Sequence, residues 1–405
     1  MRRGLILTLV VIGVIGAIAV VAMAAGGPEP RGRWGYIAGT LAFVLSAAQL
    51  APALAFATRV GRGFWSAPLR RLADVFAVTG LVTAPLTIVL VFQLPDWRGR
   101  PSIWFDWPGA PGVWDSAASI VLAATGLGLV WLSTWPEHHA ARWCGSRRQW
   151  QMLTRGLTLL GALYAMLAVF VHLLISSDLA VSLVSGWHSA VLPAYHVISG
   201  LEAAVALLVI ALAILRTPRP ADTHAAFAAC TRLLLALSLL WFYLVWCELL
   251  TDWYGRTPDE QGVLSLFMFG PGATLFVVAA ACEFVIPLLV LMWKGARDNV
   301  ALTTAVAVVV LVGSYFDRLR LYVGAWSVAT PTPEEHLADN LPLLAGPGLP
   351  ELAACAGILA LSALTVVIAV GRVAPVAAWE VRAVNRLTPA RRLLRARVDV
   401  VARPS

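Results

Sequence analysis

Apolar residues in this chain do not alternate with polar ones at a strand or surface-helix period. They run almost unbroken for some twenty positions at a time. Ten such runs can be read, at roughly 4–25, 34–57, 72–94, 113–135, 156–177, 190–215, 231–253, 270–293, 300–326 and 349–371, each bounded by charged residues or Pro/Gly-rich breaks. A helix of about 20 apolar residues crosses the hydrocarbon of a bilayer and satisfies its own backbone hydrogen bonds there. The pattern predicts an all-α polytopic integral membrane protein with about ten transmembrane helices. Residues 1–33 hold the first span and an outer loop, 34–372 the other nine spans, and 373–405 a basic tail. Because the first run follows Met1-Arg2-Arg3, a cleaved leader also fits it. Its apolar part is long for a leader, and it is read as a span.

Composition sharpens this picture. The 405 residues are 60% hydrophobic and 13% charged, with a mean hydropathy of +0.80; soluble domains carry about 25% charge. A soluble enzyme, a disordered chain and a nucleic-acid-binding module are excluded, despite the net charge of +8. The five cysteines (Cys144, Cys230, Cys247, Cys282 and Cys355) form no C-x-x-C pair. No iron–sulfur cluster, c-type haem or zinc site made by this chain alone is expected.

Charge sorts the loops into two sides. The N-terminus, the loops at 58–71, 136–155, 216–230 and 294–299, and the C-terminal tail carry 23 of the 30 Lys and Arg residues, counting Arg232 with its loop and Arg372 with the tail. The opposite side carries Arg31, Arg33, Arg98, Arg100, Arg256, Arg318 and Arg320. The positive-inside rule then places both termini in the cytoplasm, in an inner membrane of bacterial type. Arg391, Arg392, Arg395 and Arg397 lie among Leu393, Leu394 and Val398. This stretch reads as a basic amphipathic helix on the inner leaflet, or as a docking site for a cytoplasmic partner.

Chemistry-bearing residues gather at the outer side. Span 5 ends with His172, Ser176, Ser177 and Asp178; span 6 opens after Trp187 and His188 with Tyr195 and His196; span 7 ends with Glu248 and Asp252; span 9 approaches the same side with Asp317, Arg318, Arg320 and Tyr322. At 1.5 Å per residue, His172 and Asp317 lie roughly 6–9 Å inside the boundary. Taken singly, each has a plain reading. Asp178, His188 and Asp252 suit the headgroup region, and Glu248 with Asp252 suits a solvated vestibule. Asp317 with Arg320 suits a local ion pair, and His172 a core histidine. Together they point to an outer polar pocket under aromatic cover, since ionisable groups below the interface usually face a cavity. Glu202 and Glu283 lie deeper, near the midplane. Pro287 leaves the Glu283 carbonyl without its helical N–H donor. An ionised acid at that depth is costly, so each is expected to be a neutral acid, serving either as a proton relay or as an inert hydrogen-bonded group.

Several of these stretches also resemble a known family. Val171-His172 through Ser177-Asp178-Leu-Ala180, then Gly186-Trp187-His188-Ser189 and Pro193-Ala-Tyr195, are similar to a VHS-x-x-x-x-DFA, GWHST, PPYF series. That series belongs to NrfD/PsrC-like membrane subunits, in particular those of alternative complex III. Further resemblances follow in the family's order: Trp65-Ser-Ala-Pro68 through Asp74, Trp114-Asp115, Phe242-Tyr243 through Trp253-Tyr254-Gly255, Gly270-Pro271-Gly272, Pro287, and Gly313 through Phe316-Asp317-Arg318. The resemblance covers roughly residues 60–330. An outer-side His of the family's H-x-G-R-P-W element is missing, the region here being Phe92-Gln93-Leu94-Pro95-Asp96-Trp97; Asp74 and Asp317 stand where Glu is usual.

The resemblance implies two four-helix bundles with flanking helices and no redox cofactor held by the chain. It also implies oxidation of a quinol, menaquinol or ubiquinol, near the outer face. Iron–sulfur or multihaem cytochrome subunits and further membrane subunits of the same complex would take the electrons. On that reading His172, Asp178, Trp187, His188, Tyr195, Asp317 and Arg318 are candidates for quinone binding, with Glu248 and Asp252 as outer-pocket carboxylates. Glu202, Glu283 and Asp74 are candidates for a proton pathway. Two other readings fit the residues: a secondary transporter using Glu202 and Glu283 as coupling sites, and a haem-binding cytochrome b using His172 and His196.

Overall fold

Every one of the ten apolar runs is a helix. The computed structural model describes residues 2–61, 63–95, 102–104, 107–139, 146–215, 220–329, 337–377, 390–393 and 396–399. Span 1 is Arg2–Ala25, span 2 Gly32–Val60, span 3 Ala67–Val91, span 4 Gly112–Ser133 and span 5 Arg147–Asp178. Span 6 is Leu192–Leu215, span 7 Pro220–Gly255, span 8 Ala273–Leu291, span 9 Val300–Ser327 and span 10 Leu349–Arg372. The helices overrun the apolar stretches where a cap is available. Span 5 begins nine residues before its apolar run, at a capping box in which Ser146 and Gln149 satisfy each other's backbone N–H groups.

Spans 2, 3, 4 and 5 pack as a closed four-helix bundle, and spans 6, 7, 8 and 9 as a second one. Spans 2 and 5 of the first bundle meet spans 6 and 9 of the second along the seam between them. Spans 1 and 10 flank the first bundle as a pair; their backbones touch at Gly16 and Gly357, where a Cβ on Gly16 would come within 2.3 Å of the Gly357 Cα. Long apolar side chains such as Leu7, Ile18, Leu159, Met166 and Ile214 point outward. In water that would expose far more apolar surface than a soluble monomer tolerates. In a bilayer it is the lipid-facing surface of a multi-pass membrane protein.

Three helical irregularities sit beside the polar interior. Leu45–Gln49 in span 2 and Ala281–Val285 in span 8 are π-turns, and a third, Ser265–Phe269, follows the short helix Pro258–Leu264 between spans 7 and 8. Such turns widen the helix and free a carbonyl. The tail departs from expectation. In place of the amphipathic helix, Ala390–Leu393 pairs antiparallel with Ala396–Asp399, Arg391 opposite Val398 and Arg392 opposite Arg397. Val398 is β-branched and suits a strand; Leu394 and Arg395 lie outside the described residues.

Candidate functional site

The interior polar residues are organised by Asp317, fully buried on span 9. Its Oδ1 accepts from Arg320 Nη2 at 2.8 Å and Nε at 3.3 Å. Its Oδ2 accepts from Tyr195 Oη at 2.6 Å and Arg318 Nη1 at 3.3 Å. The i,i+3 pairing of Asp317 with Arg320 anticipated from spacing is thus present, as one arm of a larger network. Arg320 also donates to the carbonyl of Phe267 (3.3 Å). Arg318 reaches across the seam between bundles. It donates to Ser199 Oγ at 2.6 Å, to the His196 carbonyl at 3.1 Å and to Ser46 Oγ at 3.2 Å. Two guanidiniums on one carboxylate in an apolar interior are tolerable because nearly every donor has an acceptor.

Above Asp317 a cleft of about 440 Å³, open mouth included, enters the second bundle at the end where span 6 begins and span 7 finishes. Its walls are apolar: Leu192, Leu244, Val245, Val263, Leu264 and Met268, with the rings of Trp187 and Phe267 tilted against each other at 4.6 Å. Tyr195 and Arg320 form its polar floor, and Glu248 and Asp252 line its side nearer the mouth. Glu248 accepts from Ser189 Oγ at 2.8 Å, with Trp187 and Arg320 as its other polar neighbours. One oxygen of the Asp252 carboxyl has no partner among the described residues. The wall formed by Val263–Met268 was not anticipated from sequence. Its signal was present, because Thr257-Pro258-Asp259-Glu260 is a capping box, here with both reciprocal bonds formed.

Below Asp317 lie Glu202 and Glu283, on spans 6 and 8, both fully buried. No oxygen of either carboxyl has a hydrogen-bond partner among the described residues. Each is within electrostatic reach of Asp317, and Glu283 also of Glu202, Arg318 and Arg320. Ser238 of span 7 stands beside Glu202 and donates its hydroxyl to the Glu283 carbonyl. That is the carbonyl expected to lose its helical donor to Pro287. Gly313 of span 9 lets span 8 approach closely: a Cβ there would lie 2.6 Å from Cys282 Cβ and 3.0 Å from Glu283 Cγ.

The other predicted site residues lie elsewhere. His172 is buried in the seam, its Nδ1 at 2.8 Å from the Ala168 carbonyl and its ring edge-to-face with His196 at 5.1 Å. His196 in turn bonds Tyr322 Oη at 2.9 Å. Rings in such contact leave no room for a haem between them. Asp178 accepts from Ser102 Oγ (3.2 Å) and the Ile103 N–H (3.3 Å), which ties an outer loop to span 5. His188 is exposed. Asp74, near the inner end of span 3, is held in a two-point ion pair by Arg59. It lies in the first bundle, away from the Glu202–Glu283 pair of the second. Of the quinone-binding candidates, the cleft brings together Trp187 and Tyr195, with Asp317 one hydrogen bond behind and Arg318 one further. Ser46, Ser199 and Ser238 carried no signal in the sequence: a lone serine in an apolar helix most often bonds its own backbone. No protein-family model matches this chain, and no curated protein matches it at a significant level.

Proposed function

We propose that this chain is the quinol-interacting membrane subunit of a respiratory oxidoreductase, taking quinol from the bilayer near its outer face. The observation that carries this reading is the cleft itself. Its apolar and aromatic walls suit a flat ring with an isoprenoid tail, and its hydrogen-bonding groups are confined to the floor and one side. Quinol oxidation releases two protons with two electrons, so acceptors must meet the ring hydroxyls. Glu248 is one acceptor. Tyr195 is the other: its own proton is committed to Asp317, which leaves its oxygen lone pairs for the ligand. Arg320, fixed by Asp317 and Phe267, gives the floor a positive charge that stabilises a developing quinol anion. The electrons pass to iron–sulfur or multihaem cytochrome subunits of the same complex, because the chemistry assigned to this chain is binding, orientation and proton acceptance. The membrane is an inner membrane of bacterial type, with the cleft on its outer side.

A transporter would favour broken helices at corresponding positions of two repeats. Here the π-turns within spans fall in the first span of one bundle and the third of the other, which do not correspond. The test is titration of the purified full-length chain with decyl-ubiquinone and a short-chain menaquinone, followed by tryptophan quenching. Saturable binding is expected, weakened at least tenfold by Glu248→Gln and by Tyr195→Phe and unaltered by His188→Ala. Absence of saturable binding, or equal affinity in all three variants, overturns the reading.

A further inference from the structure

We propose that a second cavity, at the end of the molecule where spans 1 and 9 finish and spans 2 and 10 begin, binds the headgroup of a zwitterionic lipid of the phosphatidylethanolamine type. The cavity has a volume of about 1090 Å³, open mouth included, and shares no lining residue with the cleft. Its walls are the stretch from Glu29 into the first two turns of span 2, the end of span 9, and the stretch from Leu343 into the first turn of span 10. Helix ends mark the edge of the hydrocarbon layer, so a cavity framed by them lies at the level of lipid headgroups. Its frame is fixed. Tyr36 of span 2 donates to the Ala345 carbonyl at 2.6 Å, and Trp326 of span 9 donates to the Leu179 carbonyl at 2.9 Å.

The charged groups lining this cavity come in equal numbers: Arg31 and Arg33 against Glu29 and Glu351. Both arginines belong to the minority of basic residues that lie away from the basic side of the chain, a placement that needs a reason of its own. Arg31 is tied to Glu29, donating its Nε at 2.9 Å and its backbone N–H at 3.2 Å. Arg33 is held loosely. Its Nε stands 3.6 Å from Glu351, too far for a hydrogen bond, and finds no acceptor among the described residues. An enclosed guanidinium N–H without an acceptor is costly. The Arg33–Glu351 pair therefore gains by admitting a ligand that gives the guanidinium a phosphate oxygen and gives the carboxylate a donor.

Only one kind of headgroup meets both demands. A phosphodiester with a primary ammonium brings one negative and one positive charge, so a site lined by two cations and two anions stays balanced. A glycerol headgroup brings the phosphate alone and leaves a carboxylate uncompensated. A choline headgroup carries the positive charge but no N–H for Glu29 or Glu351 to accept. The cavity is large enough, since sites for small molecules span about 300–1,000 Å³. Its apolar rim includes Val328 and the exposed Leu343, which offer contacts to the first carbons of an acyl chain. The cavity is separate from the cleft, so this inference does not depend on quinol being the ligand there.

The test is lipid retention by the delipidated full-length chain in mild detergent, titrated with phosphatidylethanolamine, phosphatidylcholine or phosphatidylglycerol of matched acyl chains and read by native mass spectrometry. Phosphatidylethanolamine is expected to be retained in preference to the other two. Arg33→Gln should weaken its retention about tenfold, the order of one charge-assisted hydrogen bond. Glu351→Gln should turn the preference toward phosphatidylglycerol, because the site then carries a net positive charge; an ion pair with a structural role alone predicts no such reversal. Equal retention of the three lipids by the wild type overturns the proposal, as does an unmoved preference in Glu351→Gln. Inorganic phosphate and free phosphoethanolamine are expected to leave the bound lipid in place. Displacement by either at equal concentration would assign the site to a free phosphate and overturn the lipid as its ligand. Unfolding temperatures without lipid show which variants are folded, and if Arg33→Gln is not, Arg31→Gln replaces it with the same expected loss.

Discussion

At the scale of single residues the interior is governed by Asp317. Its two oxygens serve Arg318, Arg320 and Tyr195, so its removal strands two cations, while removal of any one donor leaves the others in place. Breaking a buried ion pair from one side costs about 3–5 kcal/mol, and a lost hydrogen bond to a charged group about 1.5–3 kcal/mol. Asp317→Asn is therefore expected to destabilise the chain by more than Tyr195→Phe, measured by thermal unfolding of the purified protein in one detergent. Equal losses would show that Asp317 is not the hub. The same reasoning separates His172 from the cleft. Its Nδ1 is engaged by its own helix and its ring by His196, so His172→Ala is expected to lower stability by a few kcal/mol as a buried ring is lost and to leave quinone affinity within twofold. A tenfold loss of affinity at unchanged stability would return His172 to the ligand.

At the scale of elements, spans 8 and 9 meet across Gly313, and span 8 is widened there by its π-turn at Ala281–Val285. A methyl group at 313 must displace Cys282 Cβ and Glu283 Cγ, both on the facing helix. Overpacking of this kind costs about 1–3 kcal/mol. Gly313→Ala should therefore lower the unfolding temperature, whereas Gly295→Ala, whose Cβ meets nothing within 4 Å, should leave it level or raise it; a matching response at both sites would deny the close approach. Elements were also what the sequence displayed best. Ten spans follow from run length alone, because hydrocarbon thickness sets a helix length that needs no tertiary information. The carbonyl freed behind Pro287, which Ser238 serves, was legible from the missing proline N–H. What run length cannot give is rotation about each helix axis. Topology gathered His172, Asp178, Trp187, His188, Tyr195 and Asp317 at one depth, and only packing shows that Trp187 and Tyr195 face the cleft while His172 faces the seam and Asp178 an outer loop. Serines such as Ser46 and Ser238 acquire their roles from a neighbour on another span, which no local pattern encodes. In the tail the arrangement of Arg and Leu was compatible with two backbones, and residues 390–393 and 396–399 take the strand.

For the whole molecule the decisive quantity is the uneven distribution of charge. Twenty-three of thirty cationic residues fall on the side that carries both termini, while the cleft, with Glu248 and Asp252, opens on the other. The positive-inside rule favours basic loops in the cytoplasm, and on that proposed orientation the cleft faces outward. Spans 1 and 10, paired along their length beside the first bundle, bring the start of span 1 and the end of span 10 to one face. A cysteine-free variant with Gly346→Cys, in the exposed segment before span 10, is expected to react in intact cells with a membrane-impermeant maleimide; Gly295→Cys, in the short turn between spans 8 and 9, is expected to react only after lysis. A fluorescent protein fused after Ser405 should fold and emit, as it does only in the cytoplasm. Labelling at 295 from outside, with 346 protected, would invert the molecule. The cleft would then open toward the cytoplasm, against the proposed function.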